Sequence, residues 1–132
     1  MAEQPFVPRA AADSGLTEEQ VQELYVDLQR EQQRVDAALR RHVDEVRNNS
    51  EETPADELDQ SARVAEQAYL LRHADKEQKL LREIKGALEK LHTGDYGICE
   101  GTEEPIGYRR LKSRPWTRYS VEYKEQLERA KR

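Results

Sequence analysis

The stretch GDYGICEGTEEPIGYRRLKSRPW, residues 94–116, decides the fold of this 132-residue chain. Its glycines and prolines break any continuous helix, and short apolar pieces alternate with predicted turns. Cys99, within this stretch, is the only cysteine of the chain. The sequence therefore predicts a small, turn-rich foot over residues 94–132, which ends in a short helix from about Arg118.

The segment before the foot carries the pattern of a first long helix. Thr17 followed by Gln20 predicts a capping box, and acidic residues directly after Thr17 suit the positive end of a helix. Apolar residues then recur mostly at intervals of three, four or seven, which is typical of a narrow seam on a helix of about 30 residues. The helix is expected to stop near residues 48–50, before Pro54. The seam consists of Val21, Leu24, Leu28, Val35, Leu39 and Val46.

A second periodic run ends at Gly94, where glycine can adopt a left-handed cap. Two helices joined by a short loop can bury their seams only by folding back on one another. The prediction is a mainly α fold: a long antiparallel coiled-coil hairpin over residues 16–93, with its tip at about 48–60, attached to the foot. The second seam consists of Leu70, Ala74, Leu81, Ile84, Leu88 and Leu91.

Residues 1–15 predict a flexible N-terminal tail because prolines, a glycine and small residues dominate them.

Composition also limits the classes of function that the chain can have. Residues 106–132 hold nine Lys or Arg and three Glu, whereas the whole chain has a net charge of -5. An acidic hairpin with a basic foot argues against DNA binding along its length, since that requires a continuous cationic face. No apolar run is long enough for a membrane span, and we expect a cytoplasmic protein that is not an enzyme.

The motifs DYGICE and IGYRRLKSRP, placed after a long helical hairpin, resemble the DksA/TraR family of bacterial transcription regulators over about residues 16–130. The resemblance implies a zinc site of two close cysteines, a 17-residue spacer and two more close cysteines. The equivalent positions here are Cys99, Thr102, Ser120 and Tyr123. Structural zinc requires four Cys or His donors, so zinc is not expected.

Packing must then hold the foot together without a metal. Burial of one large side chain contributes on the order of 1.5–3 kcal/mol. Tyr123 is expected to fill the former metal cavity, and the alternative is that it faces water. The apolar residues of the foot are Tyr96, Ile98, Ile106, Tyr108, Trp116, Tyr119, Val121 and Tyr123.

The resemblance implies that the hairpin tip enters the secondary channel of RNA polymerase and changes promoter-complex stability. Asp56 and Asp59 have the spacing of the family's tip motif, with Ser61 in place of its alanine. The same carboxylates would also suit a second role, capping the second helix. The family responds to ppGpp, and the matching contact positions are Lys76, Leu80, Arg114 and Lys124. Glu83 breaks that match, because a carboxylate repels a polyphosphate.

Two other functions stay open: a plain coiled-coil interaction module for another protein, and a transcript-cleavage factor. The expected partner is RNA polymerase, with no sequence-specific DNA binding and no membrane contact. A short hairpin loop favours a monomer.

Overall fold

The computed structural model describes residues 6–51 and 56–131 and contains four helices in that part of the chain: α1 (Glu18–Glu51), α2 (Glu57–Thr93), α3 (Tyr108–Ser113) and α4 (Val121–Ala130). The only strand-like features there are two isolated bridges. The mainly α fold class is therefore confirmed. The chain divides into a hairpin unit, Gln32–Arg82, and a basal unit, Met1–Glu31 with Glu83–Arg132.

The helix boundaries follow the predicted capping chemistry. Thr17 Oγ1 accepts a 3.1 Å hydrogen bond from the Gln20 N–H, and Gln20 Oε1 accepts one of 3.0 Å from the Thr17 N–H. This is the predicted capping box. At the far end of α2, Gly94 has φ 81° and its N–H donates to the Lys90 carbonyl at 2.9 Å. The left-handed cap at Gly94 is also confirmed.

The hairpin unit is an antiparallel helix pair held by the predicted seams. Gln67 donates to Ser50 Oγ at 3.1 Å and Asn49 donates to Glu66 at 3.4 Å, so the end of α1 lies beside the start of α2. The predicted tip at 48–60 includes residues 52–55, which lie outside the described residues. Of the predicted seam residues in this unit, four are buried and two, Leu39 and Val46, are half-buried. Ala38, which was not predicted, is also buried. The four buried seam residues are Val35, Leu70, Ala74 and Leu81.

The core of the basal unit differs from the prediction. Of the eight apolar residues expected to pack in the foot, only Tyr96 is fully buried, and Val121 is 42% exposed. The core instead joins the foot to the base of α1 and α2. Helix α3, which contributes Leu111 to it, was not predicted, because the surrounding glycines and prolines indicated turns. The largest buried side chains here are Tyr96, Leu24, Leu28, Ile84, Leu91, Leu111 and Cys99.

The N-terminal segment also differs from the predicted flexible tail, over residues 6–15. The Arg9 N–H donates to the Leu91 carbonyl and the Ala11 N–H donates to the Tyr96 carbonyl, both at 2.9 Å. A Cβ at Gly97 would lie 3.0 Å from the Ser14 Cβ, so the segment approaches the foot closely. Backbone pairing with the end of α2 and with the foot thus fixes the position of a segment whose composition is typical of turns.

Candidate functional site

The acidic end of the hairpin unit is built around the N-terminus of α2. Asp56 Oδ1 accepts a 2.9 Å hydrogen bond from the Asp59 N–H, and the Asp56 carbonyl accepts one from the Gln60 N–H. Asp56 is therefore the N-cap of α2, which agrees with the capping role predicted for the tip carboxylates. Asp56, Asp59 and Ser61 are all exposed, so this capping leaves the Asp59 carboxylate accessible to a partner.

The basal unit brings together the four positions that correspond to zinc ligands. Cys99 is fully buried. Burial raises the pKa of its thiol, but hydrogen bonds from the Thr102 side chain and from the backbone N–H groups of Ser120, Thr102 and Gly101 outweigh burial. Together they lower the pKa to about 7. The fold thus surrounds one sulfur with donors that favour its thiolate.

The other three positions are occupied by contacts within the foot. Ser120 Oγ caps α4 by accepting from the Tyr123 N–H at 3.2 Å, and Thr102 Oγ1 accepts from the Glu104 N–H at 3.3 Å. A Cβ on Gly101 would lie 2.2 Å from the ring of Tyr123, so this ring covers the glycine directly. One thiol, two hydroxyls and a phenol do not fit a tetrahedral zinc site. No group of three or more metal-binding side chains occurs in residues 6–51 and 56–131.

A basic cavity of about 180 Å³ lies between α3 and α4. Arg114 and Lys124 line it together with Arg110, while Glu125 and Glu128 add negative charge. The Nε of Arg110 is buried and has no hydrogen-bond partner among the described residues. A buried, unsatisfied guanidinium N–H favours an anionic ligand.

The remaining predicted contact positions lie on α2. Lys76 is exposed and Leu80 is half-buried, and both belong to the hairpin unit. The acidic Glu83, which breaks the family match, is exposed and belongs to the basal unit. The structure therefore brings Arg114 and Lys124 into one cavity, and it places Lys76 and Leu80 four residues apart on a single helix.

Sequence reasoning missed the contacts that fix α3. Lys112 Nζ lies 2.9 Å from Asp27 Oδ2 and 2.5 Å from Glu23 Oε1. The Tyr108 hydroxyl donates to Glu23 at 2.6 Å. Hydrogen bonds from Lys112 and Tyr108 lower the pKa of Glu23, and the hydrogen bond to Glu23 raises the pKa of Tyr108. The only sequence signal was the acidic character of the start of α1 opposite a basic foot.

A second ion cluster joins the end of α2 to the foot. Glu100 lies 3.2 Å from Lys90 and also accepts a hydrogen bond from Arg118. Burial raises the pKa of Glu100, but the hydrogen bonds from Arg118 and Lys90 outweigh it, so the net pKa lies below its usual range. Both clusters hold α3 and the loop around Cys99 against the base of the long helices.

An antiparallel helix pair with an acidic end, together with a foot that retains the outline of a zinc finger, defines the class of protein. Residues 94–122 match the family model described as the prokaryotic dksA/traR C4-type zinc finger. The structure of transcription factor DksA2 from Pseudomonas aeruginosa is 36% identical, with a TM-score of 0.76, and the match covers 89% of this chain and 90% of that one. This chain belongs to the DksA/TraR family.

Two curated relatives give similar matches over shorter regions. The RNA polymerase-binding transcription factor DksA of Caulobacter vibrioides is 42% identical over 81 residues, 61% of this chain and 57% of that protein. The protein of the same name from Escherichia coli is 36% identical over 80 residues, 58% of this chain and 53% of that protein. The matches thus span somewhat more than half the length of these curated relatives. Within the described ranges of this chain, no helix has the length and apolarity to cross a membrane.

Proposed function

We propose that this protein is a transcription regulator that binds RNA polymerase, inserts the end of its hairpin into the secondary channel and modulates initiation. The relatives named as RNA polymerase-binding transcription factors support the partner. One observation carries the proposal to this chain: Asp56 caps α2 while Asp59 stays exposed at the end of the hairpin. An exposed carboxylate there can pair with basic channel residues.

Two matched substitutions separate the charge of the tip from its fold. Asn is as good an N-cap as Asp, so Asp56→Asn removes a charge and keeps the cap. Asp59→Asn removes the exposed charge. In transcription from a ribosomal promoter, we expect both variants to lose most of the regulatory effect and to keep polymerase affinity within about twofold. If both variants regulate like the wild-type protein, the hairpin is instead an interaction module whose tip carries no function.

A stalled elongation complex distinguishes regulation from transcript cleavage. The proposed regulator leaves the length of the stalled RNA unchanged, whereas a factor that presents a metal to the catalytic centre shortens it. We expect unchanged RNA, because two carboxylates on one helix turn form only part of a metal site. Shortened RNA that requires Asp59 would overturn the proposal in favour of a cleavage factor.

We propose further that the protein acts without zinc. The donor set at Cys99, Thr102, Ser120 and Tyr123 supports this, since only Cys99 supplies a normal zinc ligand. Treatment with a chelator should leave both the thermal unfolding midpoint and polymerase binding unchanged. Chelation that unfolds the protein would contradict this part of the proposal.

The basic cavity supports an anionic ligand, and ppGpp is the ligand that the resemblance implies. Arg114 and Lys124 favour its phosphates, whereas Glu125 and Glu128 reduce the attraction. Transcription assays with and without ppGpp test whether this ligand strengthens the regulatory effect. If ppGpp strengthens the regulatory effect, Arg114→Ala should abolish that increment and leave the effect without ppGpp intact.

A further inference from the structure

The end of the hairpin unit is not held by an apolar core. Within residues 39–50 of α1 and 57–69 of α2, no side chain is buried. The buried residues of this unit lie outside those ranges, and they include Val35, Leu70 and Leu81. A helix pair fixes its alignment through interlocking apolar side chains, so the alignment is weakly specified where none of them is buried. Polar contacts are then left to set it.

Two side-chain hydrogen bonds join α1 and α2 in this part of the hairpin. Gln67 Nε2 donates to Ser50 Oγ at 3.1 Å, and Asn49 Nδ2 donates to Glu66 Oε2 at 3.4 Å. Each bond links residues 17 positions apart in sequence, so each joins one helix to the other. The first bond is the shorter and therefore the stronger of the two. We call its two residues the Ser50–Gln67 pair.

The hydroxyl of Ser50 is oriented by its own helix. It donates to the Val46 carbonyl at 2.9 Å. A hydroxyl has a single proton, so Ser50 Oγ can only accept from α2, and the amide group of Gln67 supplies the matching donor. Moving one helix by a single residue changes the height by about 1.5 Å and the direction by about 100°. The Ser50–Gln67 pair therefore forms in one alignment of the two helices and is lost in its neighbours.

The Ser50–Gln67 pair lies close to the tip carboxylates along α2. Asp59 precedes Gln67 by eight residues, which is about 12 Å along a helix. Helix α2 runs without interruption from Glu57 to Thr93, so the alignment set at Gln67 also sets the position of Asp59. A slip of one turn would move α2 by about 5.4 Å, whereas a misplacement of about 1 Å is enough to impair a positioned group.

We propose that Ser50 and Gln67 are positioning residues, which align α2 with α1 and thereby place Asp59 for its action on the polymerase. The inference rests on the proposed function and adds to it the side chains that hold the tip. Both residues act through the tip carboxylate and not by contact with the catalytic centre. Polar residues that fix the register of a coiled coil, at little gain in stability, are a well-attested use of such groups.

The functional test compares Gln67→Ala with Gln33→Ala in transcription from a ribosomal promoter at saturating protein. Gln33 is an exposed glutamine on α1 of the same unit, so both variants change helix propensity equally. We expect Gln67→Ala to lower the maximal regulatory effect about threefold, as loss of one hydrogen bond would, and to keep polymerase affinity within about twofold. Gln33→Ala should change neither quantity. An unchanged maximal effect in Gln67→Ala would overturn the inference, because a merely structural residue alters only the amount of protein required.

Variants of Ser50 separate the hydrogen bond from the side chains that form it. Ser50→Thr keeps the hydroxyl and should retain the maximal effect within about twofold. Ser50→Ala should match Gln67→Ala, and the double variant should lose little more than either single variant, because both changes remove the same bond. Additive losses in the double variant would contradict the action of Ser50 and Gln67 as a pair.

Hydrogen exchange in the free protein tests the alignment without polymerase. Amides of residues 57–66 should exchange about threefold faster in Gln67→Ala than in wild-type protein, while those of residues 84–91 in the basal unit should be unchanged. Equal exchange of residues 57–66 in the two proteins would overturn the inference while the proposed function stands. If wild-type protein has no effect on transcription, the proposed function fails, and the exchange rates alone then decide whether the Ser50–Gln67 pair aligns the helices.

Discussion

The two units of the chain distribute their large apolar side chains differently. Among the described residues, seven of the eight largest fully buried side chains lie in the basal unit, and only Val35 belongs to the hairpin unit. The hairpin unit instead exposes Val43, Leu58, Val64, Tyr69 and Leu71. The difference indicates that the basal unit holds most of the buried apolar core and supplies most of the stability, while the hairpin unit keeps more of its large apolar side chains on the surface.

The largest expected contrast is between two tyrosines, one from each unit. Tyr96 is 2% exposed and its hydroxyl donates to the Pro115 carbonyl at 2.8 Å. Tyr96→Ala should lower the free energy of unfolding by about 3–5 kcal/mol in chemical denaturation. Tyr69→Ala should lower it by less than about 1 kcal/mol. Similar losses in the free energy of unfolding for the two variants would contradict the conclusion that the basal unit supplies most of the stability.

The buried thiol of the basal unit gives a pH-dependent test. Folding lowers the pKa of Cys99 from 9.0 to about 7, so the stabilisation is complete above pH 9 and is lost as the pH falls through 7. The free energy of unfolding of wild-type protein should therefore rise by about 1–3 kcal/mol between these values relative to Cys99→Ser. A thiolate absorbance titration checks the same pKa, and Thr102→Val should raise it.

The contact between Gly101 and Tyr123 tests how the foot closes over its former metal position. Gly101→Ala forces the Tyr123 ring to move and should cost about 1–2 kcal/mol in the free energy of unfolding. In a Tyr123→Ala background the same substitution should cost far less, because the clash is gone. Additive losses in this double-mutant cycle would show that the ring does not cover the glycine.

The smallest expected effect comes from the partly exposed ion cluster around Glu100. Folding lowers the pKa of Glu100, so its contribution is present above the usual carboxyl range and is lost as the pH falls through the lower, folded value. Glu100→Gln should cost less than about 1 kcal/mol at neutral pH and should reduce the loss of stability in acid. Asp36→Asn, in an exposed pair with Arg40 on α1, serves as the control and should change little.

The long helices could be predicted from sequence because their signals are local. The capping box at Thr17 and the left-handed cap at Gly94 each involve residues a few positions apart in sequence, and the apolar spacing repeats along each helix. The position of Asp56 as a cap could be read in the same way. Such signals depend on helix geometry alone, and the structure shows the capping contacts that they predict.

The details of the foot could not be predicted because they depend on contacts distant in sequence. Lys112 meets Glu23 and Asp27 across 89 and 85 residues, and these contacts stabilise a six-residue helix whose own sequence is too short to form alone. The N-terminal segment has the composition of a loose tail, and contacts with residues distant in sequence, including Leu91 and Tyr96, place it.

The most direct measurement of the central claim is transcription from a ribosomal promoter with protein stripped of metal by a chelator, with zinc then titrated back. The central claim is that packing around Cys99 and Tyr123 supports the foot, while the end of the hairpin acts on the polymerase. We predict the full regulatory effect without zinc, no change when zinc is added, and loss of the effect with Asp59→Asn. An effect that appears only after zinc is restored would contradict the account.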